Sequence, residues 1–171
     1  MIDYVVGDAT DPQGSGHKII CHVVNNVGAW GAGFVMALSA KWSLPEEQYR
    51  WWANNPNAAN IVYKPFELGQ VQYVEVDKYF IAGSNAKLYS IWVANLIGQN
   101  GVRSFKNPRP VDYDAIAKGL ADVSNNAMAV GASVHMPRIG CGLAGGEWSK
   151  VEFIIERYMD PDLRVTVYDL A

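Results

Sequence analysis

Twice in this chain a short β-type run breaks into glycines and is followed at once by a helical pattern. That arrangement restricts the fold more than any other feature. The first instance follows the apolar run Lys18 to Val24 and reads Asn25-Asn26-Val27-Gly28-Ala29-Trp30-Gly31-Ala32-Gly33-Phe34. The second follows Ser133 to Met136 and reads Pro137-Arg138-Ile139-Gly140-Cys141-Gly142-Leu143-Ala144-Gly145-Gly146-Glu147, with four glycines in seven residues. Glycine reaches positive φ at little cost and lets backbone N–H groups come close to a ligand, a freedom read here for Gly28, Gly31 and Gly33. The helix that follows adds its free N-terminal N–H groups and positive dipole end, so the natural occupant is an anion, most simply a phosphate. Glycines ahead of a helix also serve as plain tight turns. Two such loops on one small chain, however, can clamp a diphosphate from both sides. The spacing is not the GxGxxG of dinucleotide folds, and no phosphate-loop lysine follows.

The rest of the chain alternates in the same manner. Ile2 to Val6 reads as a strand that ends in the turn Gly7-Asp8-Ala9-Thr10. Phe34, Ala37, Leu38 and Trp42 recur at helical spacing within Gly31 to Trp42, and Pro45 opens a further helix, which gives way to a polar loop over Asn54 to Asn60. Strands are expected over Val71 to Val76 and Leu88 to Ile97, then a loop over Gly98 to Pro110. Asp112 to Ala129 places Tyr113, Ile116, Leu120, Val123 and Met128 on one broad helical face. A helix over Trp148 to Met159 and a strand over Val165 to Tyr168 complete the pattern. The expected fold is a three-layer α/β/α domain spanning 1–171, with a mixed, mostly parallel central sheet. Such sheets bind ligands beyond the carboxyl ends of their strands, where the three strand-leaving loops converge.

Composition narrows the function. The 171 residues carry a net charge of −3 with no basic block, which argues against an electrostatic grip on a nucleic-acid backbone. The longest apolar runs, such as Ile91 to Ile97, are of strand length, so no membrane span is expected. Cys21 and Cys141 form neither a metal-ligand spacing nor a disulfide framework, which points to a reducing, cytoplasmic compartment and to no metal or cofactor. The six Trp and nine Tyr are read mainly as core. A monomer is expected.

The segments Val6-Gly7-Asp8-Ala9-Thr10, His22-x-x-Asn25, Gly28-Ala29-Trp30-Gly31-Ala32-Gly33 and Pro137-Arg138-Ile139-Gly140-Cys141-Gly142-Leu143 resemble the macrodomain family, in the family's order, from about Ile2 to Leu170. The similarity is greatest to the branch holding yeast-type ADP-ribose-1″-phosphate phosphatases and terminal or DNA-linked ADP-ribose glycohydrolases. The resemblance implies that Asp8 accepts a hydrogen bond from the adenine amine, with Ala9 and Thr10 beside it. It implies that Asn25, with Asn26 next to it, contacts the distal ribose. The stretches from Gly28 through Ala29, Trp30, Gly31, Ala32 and Gly33 to Phe34, and from Arg138 and Ile139 through Gly140, Cys141, Gly142, Leu143 and Ala144 to Gly145, would then hold the diphosphate and ribose. Tyr168 is a candidate to stack on adenine.

In the glycohydrolase branch a lysine attacks the anomeric carbon. Here the corresponding stretch reads Asn95-Leu96-Ile97-Gly98-Gln99-Asn100, which offers no amine, and Ala144 stands where that branch tends to carry an acid. Gln99 can orient a water or bind a ribose hydroxyl, or it can be a surface loop residue. His22 matches a histidine of the yeast-type phosphatases and can activate a water near neutral pH; the alternative is a buried histidine satisfied by hydrogen bonds. His135 is read as structural and His17 as exposed. The leading expectation is hydrolysis of ADP-ribose-1″-phosphate, with His22, Asn25 and Gln99 as the catalytic candidates. Release of ADP-ribose from modified protein or nucleic acid, and binding of ADP-ribose or a related NAD-derived signal without turnover, are the alternatives.

Overall fold

Strands β2 (His17–Asn25) and β4 (Leu88–Gln99) run parallel in register from Lys18 opposite Ile91 to Val24 opposite Ile97. Successive residues of β2 point to opposite faces, and both faces are buried: Ile19 and Cys21 on one side, Ile20 and Val24 on the other. A strand covered on both faces reads as a near-continuous apolar run, which is how it looked in the sequence. The computed structural model describes residues 2–57, 64–83 and 87–171, so part of the Asn54 to Asn60 loop lies outside the described residues.

The remaining elements are β1 (Ile2–Val6), α1 (Phe34–Lys41), α2 (Leu44–Asn54), β3 (Val71–Phe80), α3 (Tyr113–Val130), β5 (Ala132–Met136), α4 (Trp148–Tyr158) and β6 (Val165–Asp169). The sheet order is β1-β6-β5-β2-β4-β3, and every pair is parallel except β3 with β4. The expected mixed, mostly parallel sheet is therefore what the chain forms. Helices α3 and α4 cover one face over a core of Ile116, Leu120, Val123, Val151 and Ile155. Helices α1 and α2 cover the other over Leu38, Tyr49 and Trp52. Among the described residues, no helix is long and apolar enough to cross a membrane.

Local chemistry explains most boundaries. Asp112 caps α3 by accepting from the Ala115 N–H, and Gly131 ends it in the left-handed region at φ 71°. Pro45 sits in the first turn of α2, where its missing N–H costs nothing. Two readings need correction. Met128 is 45% exposed, and Ala127 takes the buried place on α3 instead. Strand β3 continues four residues beyond Val76 because its ladder with β4 persists to Phe80 opposite Leu88, past a register shift between Glu75 and Asp77 that erases the alternation.

Helix α3 lies against β4 at Gly119, where an added Cβ would stand 2.3 Å from Leu96 Cγ. Overpacking at about 1–3 kcal/mol outweighs the roughly 1 kcal/mol that alanine gains in helix propensity. Gly119→Ala should therefore lower the melting midpoint by several degrees in scanning calorimetry; an unchanged or raised midpoint would show that Leu96 can yield.

Candidate functional site

The parallel strands β1, β2, β5 and β6 all end at one edge of the sheet, and a cavity of about 510 Å³ opens there. That volume lies within the range of small-molecule sites. One wall is the loop into α1, contributing Ala32, Gly33 and Phe34. The opposite wall is the turn after β5, from Arg138 through Ile139, Gly140, Cys141, Gly142 and Leu143 to Ala144. The two walls approach each other where a Cβ built on Gly33 would be 3.7 Å from Leu143 Cδ1.

Both walls present backbone donors. The N–H groups of Ala32, Gly33, Phe34 and Val35 make no hydrogen bond with a described residue, and the same holds from Gly140 to Ala144. For the first wall this follows from helix geometry, since the opening N–H groups of any helix lack intrahelical acceptors. For the second, the chain turns back on itself: Gly146 N–H donates to Gly140 O at 2.8 Å, and Gly145 N–H to Cys141 O at 3.1 Å. Position 33 requires glycine, because its φ is 83° at the N-cap of α1. Gly28 is also at positive φ, whereas Gly31 is not, contrary to the reading of all three alike. Preorganised N–H dipoles of this kind favour negative charge between them.

The adenine-end candidates come together at the other side of the cavity. Asp8 and Ala9 line it, beside Gly7 and Tyr168. Asp8 Oδ1 accepts from the Thr10 N–H and from Thr10 Oγ1, both at 2.8 Å, so Thr10 braces the carboxylate without lining the cavity. Tyr168 presents its ring to the cavity while its hydroxyl is held by Gln13 N–H and His135 Nδ1, each at 2.8 Å. His135 is thus a buried structural residue. His17 is half-buried rather than exposed, since its Nδ1 accepts from the Ser90 N–H at 3.0 Å and its ring packs on Tyr89 and Trp92.

At the remaining end stand His22 and Gln99, both lining the cavity. Gln99 Nε2 donates to Gly101 O at 3.0 Å. His22 is 1% exposed, and burial pushes its pKa down to about 4, so the ring is neutral over the physiological range. Trp30 and Phe34 pack on it at centroid distances of 5.4 and 5.8 Å. Cys141 is a free, half-buried thiol whose pKa is raised by burial.

Several expected contacts are not brought to the cavity. Asn25 is turned into its own loop: Oδ1 accepts from Val27 N–H, Ala29 N–H and the Tyr49 hydroxyl, and Nδ2 donates to Ala29 O at 2.7 Å. Most of its amide is spent in shaping the loop, and it does not line the cavity. Asn26 braces the neighbouring loop by bonding Asn100 and Gly101, and Gly28 O accepts from Arg50. Trp30 is buried on Ser39, and Gly145 packs on Pro108 and Arg109; neither these residues nor Ala29 and Gly31 line the cavity. Arg138 lines the cavity, but its guanidinium is paired with Asp169 at 2.7 and 2.9 Å and lies over Tyr4 and Trp148. Lining residues given no contact in the sequence reading include Gly7 and Pro137, which stand inside the quoted motifs, and Val35 and Ala37 in the first turns of α1. Leu170 gave no signal at all.

No family model matches the chain. A solved structure of a macrodomain protein from Streptomyces coelicolor is 43% identical, with 99% of each chain covered and a TM-score of 0.79. The DarTG protein of Thermosipho africanus, solved in complex with ADP-ribose, shares the fold at 21% identity and a TM-score of 0.64, covering 90% of this chain and 38% of that one. Among curated proteins, the Chromodomain-helicase-DNA-binding protein 1-like of Danio rerio is 30% identical over 162 residues, 92% of this chain. The chain spans only 14% of that relative's length. The ADP-ribose glycohydrolase OARD1 of Bos taurus is 38% identical over 60 residues, which is 34% of this chain and 40% of that protein. With a glycine-walled cavity at the strand ends of this sheet and a full-length match at that identity, the chain belongs to the macrodomain family.

Proposed function

We propose that this macrodomain binds ADP-ribose, with the diphosphate between the two glycine walls, and hydrolyses its 1″-phosphate ester. The observation that carries the reading is the double row of backbone N–H groups, on both sides of one cavity, that donate to no described residue. A diphosphate supplies acceptors to both rows at once. Asp8 Oδ2, left over by Thr10, accepts from the adenine amine, and the Tyr168 ring lies beside it as a flat face. Two relatives support the ligand class through what they are: one is an ADP-ribose glycohydrolase, and another was solved with ADP-ribose bound.

The chemistry follows from what stands at the far end. A water attacks the phosphorus and its proton passes to the His22 imidazole. The bond from phosphorus to the 1″ oxygen breaks with its electron pair on that oxygen, which then takes the proton back from His22. The wall N–H groups stabilise the charge that builds on the phosphoryl oxygens. Phosphoryl attack is favoured over attack at the anomeric carbon because Gln99 and Asn100 supply no amine nucleophile. A second reading, release of ADP-ribose from a modified protein or nucleic acid by a positioned water, is favoured by the glycohydrolase relative. Label retained on both modified substrates, with phosphate released from the 1″-phosphate, would separate the two. Binding by calorimetry without any product would leave a non-catalytic reader.

Asp8→Ala should weaken ADP-ribose binding about ten- to a hundred-fold, the worth of a charge-assisted hydrogen bond of roughly 1.5–3 kcal/mol, measured by calorimetry. Wild-type protein that fails to bind ADP-ribose at high micromolar concentration would end the whole reading. His22→Ala should slow phosphate release about 10²- to 10⁴-fold. A base works only when unprotonated, so wild-type activity should be flat through neutrality and fall as pH drops through about 4. An activity that instead rises below neutrality would remove His22 from the role of base.

A further inference from the structure

His22 and Asn95 lie opposite each other across the parallel β2–β4 pair, and the hydrogen bonds around Asn95 decide which imidazole nitrogen carries hydrogen. Asn95 Nδ2 donates to the Pro45 carbonyl at 3.2 Å and to Gln72 Oε1 at 3.0 Å. A main-chain carbonyl can only accept, so the NH₂ of Asn95 must face α2 and its Oδ1 must face His22. Gln72 is oriented in the same way, because its Nε2 donates to Gln48 O at 2.9 Å and thereby turns Oε1 toward Asn95. Asn95 Oδ1 is 2.5 Å from His22 Nε2, and since it only accepts, that nitrogen bears the hydrogen. In the neutral ring Nδ1 is then a bare lone pair.

That lone pair is the one buried side-chain nitrogen or oxygen without a hydrogen-bond partner among the described residues. An acceptor buried without a donor is costly, and it persists where something else uses it. The two rings packed on His22 bring no donor: Phe34 has none, and Trp30 Nε1 is spent on Ser39 Oγ at 2.8 Å. Asn95, Trp30 and Phe34, the groups that face the imidazole, carry no charge.

We propose that Asn95 and Gln72 are positioning residues. They relay the acceptor character of two α2 carbonyls to His22 and hold Nδ1, itself buried in this structure, as the atom offered to a water or hydroxyl of a bound ligand. During turnover the water proton moves to Nδ1, the ring briefly holds hydrogen on both nitrogens with Asn95 Oδ1 still accepting from Nε2, and Nδ1 returns the proton to the departing oxygen. The catalytic part rests on the reading of His22 as base; the tautomer does not.

The test is ¹⁵N NMR of the full chain labelled at histidine, with the His22 resonances identified by their loss in His22→Ala. At neutral pH the wild type should show a hydrogen-bearing Nε2 and a lone-pair Nδ1, and saturation with ADP-ribose should shift Nδ1. Hydrogen on Nδ1, or averaging between tautomers, overturns the relay. An Nδ1 unmoved by bound ADP-ribose overturns the contact. Asn95→Leu should mix the tautomers and lower kcat for phosphate release at least ten-fold with KM within about two-fold. Asn95→Asp keeps an acceptor for Nε2 and should move the acid limb of the pH profile upward; an unmoved limb in a folded variant counts against the relay. Should either variant fail to fold, the wild-type spectra alone decide. Should the wild type neither bind ADP-ribose nor release phosphate, the proposed function and the contact fall, while the spectrum still decides the tautomer.

Discussion

The parallel pairing of β2 with β4 is the constraint on which the rest of this structure depends. Because the two strands run in the same direction at the centre of the sheet, their exits lie side by side, with Asn25 opposite Gln99 after a register shift at Val24. The pairing of β2 with β5 on its other flank brings the turn after Met136 to the same edge. An antiparallel β5 would have sent the second glycine loop to the opposite end of the sheet, and an antiparallel β4 would have sent Gln99 there. Cavity, walls and the His22–Asn95 pair all follow from these two parallel pairings.

The two layers around the sheet are built on different terms. The face under α3 and α4 is almost wholly apolar, and its tolerance is set by volume, as the fit of Gly119 on Leu96 illustrates. The face under α1 and α2 carries His22, Asn25 and Asn95 at 8% exposure or less. Burying such groups is costly unless they are paired, and here the pairing is nearly complete: Asn25 with its loop and Tyr49, Asn95 with Gln72 and Pro45. Satisfied networks of this kind fix geometry more than they add stability. The layer that shapes the cavity is thus the layer held by directional bonds.

The cavity walls face the space with backbone dipoles and no free cation among the described residues. Arg138, the basic residue that faces the space, is committed to Asp169, an arrangement that holds the Asp169 carboxyl below its usual range and leaves backbone dipoles to do the work. Backbone N–H groups cannot swing away as a lysine can. Under the proposed function they would fix where a diphosphate lies, which is what hydrolysis at one end of a long ligand needs.

By itself the sequence determined the order and type of the elements, because apolar runs, helical periodicity, Pro45 and the glycine clusters are local signals that survive without a partner. It also singled out both walls, Asp8 and His22. What it could not determine was the direction of individual side chains where two partners compete. Asn25 is equally suited to a ribose and to its own loop, and the nearby Tyr49 hydroxyl and Ala29 backbone decide for the loop. Arg138 is equally suited to a phosphate and to a carboxylate, and Asp169 reaches it first. The partnership of His22 with Asn95, 73 residues apart, exists only once β2 and β4 are paired. A hydrogen bond needs its acceptor in place, and for these residues only the tertiary structure brings the acceptor there.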